Sequence, residues 1–491
     1  MIIVIAVRVP SVFSFFDEIM RRLRRWLSSF SLKKKGPLVA IVGSGPSGFY
    51  VAKYLLKSWP EARVDMIEQY PTPHGLVRYG VAPDHPEVKA VEKDFSKVAS
   101  SSNFRFFGNV LVGGDGEAEC RVSVESLRRN YDSVVLACGA GAERKLGIPG
   151  EDLEGVVSAR KFVAWYNSEP KHTDLEPFFE RRETSLDAVV VGHGNVALDC
   201  ARILATKPEN LVETDIARKT LEHLKRFDKK KVSVVGRRGP AQAAFTIKEL
   251  RELTHIDGAP LSIFKDEVQK AETPTSLAEI ESSRALKRKL ELLTKFIVNE
   301  RNNNERDYGV SLRFLLKPIE FKARQSNPKQ VGSVLFEKCL LSGDVPGQQR
   351  SEGTGTFLEL PCDLALLAVG YLAEPPALEG SGPKSKPIPF LPNVNGRVGD
   401  FLYTAGWLKR GPSGIIGSNI ADARDTVQTM LNDLGPLSFG EKQGISNLED
   451  HTTWEDWQAI DEAERKSGEP LGAPRLKFPD VHAMLQVIRK Q

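Results

Sequence analysis

Two stretches of this chain share one grammar: an apolar run, a glycine-rich turn and the opening of a helix. The first is LVAIVGSGPSGFYVAKYLL, residues 38–56, and the second is DAVVVGHGNVALDCARIL, residues 187–204. Such a unit is a parallel strand feeding a helix through a turn tight enough to bring backbone N–H groups against a pyrophosphate, whose charge then sits at the helix N-terminus. Two of them in one chain predict an α/β protein with two Rossmann-like domains. The surrounding sequence agrees, because strand-like runs alternate with helix-like stretches from Val39 to about Ala140 and again from Val189 to Arg238.

The two units differ in the strand behind the turn. Behind Gly43-x-Gly45-Pro46-Ser47-Gly48 that strand, ARVDMIE, ends at Glu68, twenty residues past Gly48. An acid there accepts the ribose hydroxyls of an adenosine and repels a 2′-phosphate, so this site reads as one for FAD or NAD. Behind Gly192-x-Gly194-x-x-Ala197 the next strand, KVSVVGRRG, ends in Gly236-Arg237-Arg238 with no acid. Two guanidiniums suit a 2′-phosphate; charge-assisted bonds of about 1.5–3 kcal/mol each favour NADP over NAD by roughly a hundredfold or more. Together the loops predict a flavoprotein that takes a hydride from NADPH.

The strand-like runs SVVLACGAG (133–141) and LALLAVGY (364–371) have the same form. The simplest topology inserts an NADP-binding domain, residues 141–365, into a discontinuous FAD-binding domain formed by 36–140 and 366–491. Polar segments at 299–307 and 342–355 read as surface loops of the insert. With 491 residues, 41% hydrophobic, the chain is long enough for cored domains of this kind.

The five cysteines, Cys120, Cys138, Cys200, Cys339 and Cys362, include no Cys-x-x-Cys pair. The spacing therefore offers no redox disulfide, zinc site or iron–sulfur cluster on this chain, and no metal is expected. Electrons from a reduced flavin must go to an outside acceptor or to oxygen. A one-electron carrier suits a flavin, which takes up electrons in pairs and releases them singly.

Residues 1–35 hold eight basic groups against two acids, a charge of +6 in a chain whose net charge is +4. Phe16, Ile19, Leu23, Trp26, Leu27 and Phe30 recur at helical spacing opposite the arginines. This basic amphipathic extension resembles a mitochondrial transit peptide and predicts delivery to the mitochondrial matrix. The alternatives are a membrane-surface helix and a start codon placed too early; Asp17-Glu18 is unusual in a transit peptide, and MIIVIAV has the look of a weak secretory core. No stretch is long and apolar enough to span a bilayer, so any membrane association is peripheral, at the inner membrane. No nucleic-acid partner is expected.

Five motifs in register, GSGPSGFY, PHGLVRYGVAPDHPEV, GHGNVALDCARIL, VGRRGPAQAAFTIKELREL and YTAGWLKRGPSGIIGSNIADA, resemble the adrenodoxin reductase family of NADPH:ferredoxin oxidoreductases. The resemblance runs from about Gly36 to DWQAIDEAE near the C-terminus. It implies FAD contacts at Ser47, Glu68, Leu76, Val110, Trp407 and Gly414-Ile415-Ile416. It implies NADP contacts at His193, Gly194, Asn195, Val196, Arg237, Arg238, Glu249 and Gly414. Gly411-Pro412-Ser413-Gly414 is read as leading into a helix whose N-terminal amides face the flavin pyrimidine.

His85 and Asp199 are the titratable groups placed nearest the flavin, and with Trp407 they form the candidate catalytic set. On SRALKRKLELLTKFI, Arg284, Lys287 and Arg288 share a helical face. Arg251, Arg284 and Arg288 match the family's docking surface for an acidic [2Fe–2S] ferredoxin, which serves cytochrome P450, iron–sulfur or haem pathways. Where the family has Gln, this chain has His193, which predicts pH sensitivity near the pyrophosphate. Competing readings are a flavin NADPH oxidase or quinone reductase, and a non-catalytic FAD/NADP-binding assembly or sensor protein.

Overall fold

The computed structural model describes residues 35–113, 121–172, 175, 184–298, 308–378, 386–445 and 448–489. The basic extension and the 299–307 segment thus lie outside the described residues. No described helix is long and apolar enough to cross a membrane.

Two sheets organise the chain. The first runs Arg397–Gly399, Leu402–Thr404, Ser133–Leu136, Leu38–Val42, Arg63–Ile67, Phe104–Phe107, parallel apart from the edge pair of the first two. The second runs Ile297–Val298, Leu261–Phe264, Gly309–Arg313, Lys229–Val235, Ser185–Val191, Leu364–Leu367, Val156–Ser158, with every pairing parallel. Parallel strands covered on both faces carry apolar residues at every position, not in alternation. Leu38–Val42 is buried at all five residues and supplies Val39 and Ile41 to the core on one face, Leu38, Ala40 and Val42 to the core on the other.

Each glycine turn sits at the carboxyl end of a central strand, where open α/β sheets bind their ligands. Helix α1 (Pro46–Ser58) follows the first and packs against the C-terminal helix Ser418–Leu434; α2 (Asn195–Ala205) follows the second. Segments from the C-terminal third, Arg397–Gly399 and Leu402–Thr404, complete the first sheet beside Ser133–Leu136.

Two expectations need correcting. Leu364–Leu367 lies inside the second sheet, between Ser185–Val191 and Val156–Ser158, so a boundary at 365 cuts a strand. The two chain crossings fall instead at Ala142–Glu143 and Tyr371–Leu372, which pair antiparallel with each other. The segment 342–355 is not all loop: Arg350–Pro361 is the outer strand of a three-stranded antiparallel sheet with Leu316–Arg324 and Asn327–Ser342. Its Gly, Ser and Glu residues have poor strand propensity, and pairing with the longer neighbouring strand overrides it.

The C-terminal segment locks the assembly. On the helix Trp454–Gly468, Glu464 accepts from Arg78 at 2.6 Å with both side chains fully buried. Lys477, 1% exposed, reaches Asp215 at 3.0 Å and the carbonyl of Arg78 at 3.0 Å, while Lys89 holds the other side of Asp215 at 2.6 Å. Burial pushes the Lys477 ammonium down to about 7. Burial works the other way on the Asp215 carboxyl, but its two cationic neighbours outweigh it and hold the group below its usual range.

Candidate functional site

The first turn is shaped for a ligand. Gly43 has φ +103°, and a Cβ on Gly48 would lie 2.0 Å from the Gly43 carbonyl oxygen, so α1 can approach its strand this closely only with glycine there. In front of Gly45 there is open space. Helix α1 starts with Pro46 at its first position and has no side-chain cap, leaving its N-terminal amides to an outside anion.

Glu68, 8% exposed, stands beside this turn at the end of Arg63–Ile67. It accepts from the Ser44 N–H at 3.0 Å, the Ser44 hydroxyl at 2.7 Å and the Tyr70 N–H at 3.3 Å. Burial raises its pKa and these donors oppose the rise. Val110 is buried and donates its N–H to the Glu68 carbonyl at 2.8 Å; Leu76 begins the short helix Leu76–Tyr79, next to Gly75, which packs on Gly45.

Opposite the turn lies the C-terminal third. The Ser47 hydroxyl donates to Asn419 Oδ1 at 3.0 Å, and Gly406 packs directly on Ser47. Trp407 stacks on Tyr371 with ring centroids 5.9 Å apart and donates from Nε1 to the Ser413 carbonyl at 3.1 Å. Ser413, Gly414 and Ile415 are exposed, Ile415 to 70%, an apolar side chain left bare at the mouth of the site. The helix expected straight after Gly414 begins at Ser418, with Ile415-Ile416-Gly417 forming the turn before it.

The second turn repeats the design with a different setting. Gly192 has φ +134°, and a Cβ added there would lie 2.3 Å from the Ala368 carbonyl oxygen, while the space before Gly194 is open. Helix α2 begins at Asn195 without a side-chain cap, Val196 packs on the core, and Asn195 Oδ1 accepts from the Thr246 N–H at 2.9 Å. Arg237 and Arg238 follow Lys229–Val235, and neither guanidinium has a hydrogen-bond or ion-pair partner among the described residues. Glu249 lies on α3 (Ile247–Leu253), hydrogen-bonded to the capping Thr246 hydroxyl.

His193 departs from expectation. Its backbone is in the turn, but its ring points inward, 4.8 Å from the Phe314 ring and 5.8 Å from the Phe245 ring, with Nε2 3.3 Å from the Val234 carbonyl. Burial pushes its pKa down to about 4, so the ring stays neutral across the physiological range and puts no titrating charge at the pyrophosphate.

His85 and Asp199, 114 residues apart in sequence, do come together, and they bring groups that sequence reasoning missed. His85 Nε2 lies 2.9 Å from Glu252 Oε2 on α3. Arg202, three residues past Asp199 on α2, donates to Asp84 at 2.6 and 3.0 Å, to Asp199 at 2.8 Å and to the same Glu252 oxygen at 3.0 Å. The spacing would let His85, Asp199 and Glu252 hold a metal ion, but the Arg202 guanidinium already fills the carboxylate cluster as its cation. Burial raises the Asp199 carboxyl against the pull of Arg202. At Asp84 burial pulls the same way, but there Arg202 prevails and holds the group below its usual range. An i, i+3 acid–arginine pair in LDCAR was legible; the crossing to Asp84 and Glu252 was not.

Arg251 on α3 and Arg284 and Arg288 on α4 (Arg284–Thr294) are all exposed, and α3 packs against α4. The three cations therefore lie on neighbouring helices.

Two glycine turns on separate parallel sheets, one backed by an acid and one by two arginines, define an oxidoreductase that uses a flavin and a pyridine nucleotide. The profile of the pyridine nucleotide-disulphide oxidoreductase family covers residues 37–240. The chain is 41% identical to human mitochondrial NADPH:adrenodoxin oxidoreductase, covering 94% of this chain and 93% of that one. It is 40% identical to NADPH-ferredoxin reductase FprA of Mycobacterium tuberculosis, covering 91% and 98%. A solved structure of that FprA in complex with NADPH superposes with a TM-score of 0.80 at 38% identity, over 92% of this chain and 99% of that one. The chain belongs to the NADPH:adrenodoxin and NADPH-ferredoxin reductase family.

Proposed function

We propose that the protein is an FAD-dependent NADPH:ferredoxin oxidoreductase serving an acidic [2Fe–2S] ferredoxin in the mitochondrial matrix. The single observation that carries the nucleotide assignment is the opposite chemistry behind two like turns: buried Glu68 at one, and at the other Arg237 and Arg238, without a partner among the described residues. The open space at Gly45 and Gly194 and the bare Ile415 fit the groups these turns would hold.

FAD, when bound, supplies a hydride acceptor that converts a two-electron donation into one-electron deliveries. The chain's own residues do the rest. The amides of α1 bind the FAD pyrophosphate and Glu68 the adenosine ribose; Leu76, Val110, Trp407 and Gly414–Ile416 surround the remainder. The amides of α2 bind the NADP pyrophosphate, Arg237 and Arg238 hold the 2′-phosphate, and Glu249 and Gly414 complete the site. His85, paired with Glu252, and Asp199 hold charge and position at the seam between the turns. Hydride transfer delivers no separate proton to a side chain, so their role is placement and electrostatics. Arg251, Arg284 and Arg288 attract the acidic partner and raise its encounter rate. The mitochondrial assignment rests on the basic extension and on relatives such as the human mitochondrial protein; the extension directs import, and any membrane contact is peripheral.

The test is anaerobic stopped-flow absorbance of protein lacking residues 1–35, mixed with NADPH and then with an acidic [2Fe–2S] ferredoxin at low and high salt. Flavin bleached by NADPH and not by NADH, then reoxidised by ferredoxin at salt-sensitive rates, supports the reading. Bleaching without transfer to any ferredoxin points instead to an oxidase or quinone reductase.

A further inference from the structure

Where the loop after Leu76–Tyr79 meets α2 and α3 lies a half-buried charge cluster with an unusual ratio: three carboxylates around a single guanidinium. Arg202 is 5% exposed and spends four hydrogen bonds on Asp84, Asp199 and Glu252; the Glu252 oxygen it binds is the one that also meets His85. Asp84 and His85 come from the loop that follows the first sheet's short helix Leu76–Tyr79; Asp199, Arg202 and Glu252 come from α2 and α3 of the second. The side chain that joins these groups thus belongs to neither glycine turn.

We infer that Arg202 is the positioning residue of the hydride-transfer site: it holds the 82–85 loop against α2 and α3 and balances the charge of Asp199 and Glu252 beside His85. Geometry supports this over a purely structural ion pair. A planar guanidinium presents five donors in fixed directions and here makes four hydrogen bonds to three carboxylates, two of them a fork onto Asp84; an ammonium has three donors and cannot make that fork together with the other two bonds. The remaining charges facing the cluster do not replace it. From the loop and the helix Pro86–Lys89 come Asp84, His85 and Glu87; from α2, Asp199 and Cys200; from α3, Lys248 and Glu252; from the helix Ala159–Tyr166, Tyr166; and from Tyr371–Leu372, Tyr371, with burial raising the Cys200, Tyr166 and Tyr371 groups so that all three stay neutral. Lys248 is half exposed, pairs with Glu87 at 2.9 Å and reaches Glu252 only at 3.8 Å. Without Arg202, three half-buried carboxylates repel one another at close range, so the cluster takes up protons at higher pH and the loop parts from α2.

A second lock on the same loop provides the control. Lys89, four residues past His85, binds Asp215 at 2.6 Å and touches none of the three carboxylates. Lys89→Met therefore loosens the same segment without altering the cluster's charge.

The inference rests on the proposed placement of His85 beside the reacting ring, and the experiment separates the two. Arg202→Gln, Arg202→Lys, Lys89→Met and His85→Gln holoenzymes are compared by amide hydrogen exchange of residues 82–89 and by the pH profile of flavin reduction with NADPH. The expected result is faster exchange in both Arg202→Gln and Lys89→Met. Flavin reduction slows in both Arg202 variants and not in Lys89→Met, by about tenfold or more in Arg202→Gln, which alone moves its acidic limb to higher pH by about one unit. Arg202→Lys restores the limb toward wild type while exchange stays fast. Equal pH profiles in Arg202→Gln and wild type, or the same displacement in Lys89→Met, overturn the inference. If Arg202→Gln does not accumulate, Arg202→Lys decides alone: fast exchange with slowed reduction supports it, wild-type exchange and rate overturn it. If His85→Gln leaves flavin reduction untouched, the placement of His85 fails; if His85→Gln slows it and Arg202→Gln does not, the role of Arg202 alone fails.

Discussion

The two glycine turns are close copies in sequence, yet the structure treats them as opposites. The first is roofed: Ser47 is bonded to Asn419, Gly406 packs on Ser47, and Glu68 is buried behind it. The second is less covered: residues 192–196 are all partly exposed, Arg237 is exposed and Arg238 half exposed, and Ala244 and Phe245 border the turn by donating to the His193 carbonyl. A covered site suits a cofactor that stays, and an open one suits a substrate that arrives and leaves with each turnover. The turn sets which chemical group is held, and the chain laid over it sets for how long.

The largest way to break this contrast is at the roofed turn. Gly48→Ala places a methyl group against the Gly43 carbonyl oxygen, where no backbone shift is cheap. The expected outcome is protein purified without flavin, checked by its visible absorbance per chain. At the open turn the effect is on selectivity. Arg237→Ala with Arg238→Ala is expected to cut the NADPH over NADH preference by roughly a hundredfold, with flavin content unchanged, read from kcat/KM for each nucleotide.

A smaller effect belongs to the surface beyond the open turn. Charge reversal at Arg251, Arg284 and Arg288 is expected to raise KM for an acidic ferredoxin by about tenfold at low salt and flatten the salt dependence, leaving NADPH-driven flavin reduction unchanged. The smallest concerns His193. Its pKa is about 4 in the folded protein against 6.5 for the ordinary group, so the unfolded chain takes up the proton first. Stability is full above pH 6.5 and falls as pH drops toward 4. His193→Gln is expected to flatten the decline of Tm over that window only in part, because buried His74 is also pushed down to about 4. NADP affinity is expected to show no His193-dependent change between about pH 6 and 8.

Much of this was legible. Apolar runs ending in glycine located both turns, and Glu68 and the Arg237-Arg238 pair distinguished them, because these signals lie within one strand–turn–helix unit. The hidden part depends on distant chain. Nothing in GHGNV says that the His193 ring turns inward, since that is decided by the space between Gly236 and Phe314. Nothing in RSEGTGTFLEL announces a strand, since its partner Asn327–Ser342 imposes it. His85 and Asp199 stand out as titratable groups within motifs, but Asp84, Arg202 and Glu252 become a cluster only when the two sheets meet.

The paired crossings at Ala142–Glu143 and Tyr371–Leu372 carry one more consequence. Where a chain leaves and re-enters at a single spot, with the Arg144 N–H still reaching the Gly370 carbonyl at 3.3 Å, the length between is a cassette. Its ends are already neighbours, so a short bridge across them closes the host, and the excised piece keeps its own sheet intact. Such a layout makes the nucleotide half a portable part, open to replacement by another of different preference that also brings partners for Lys477, Lys89 and Asp84.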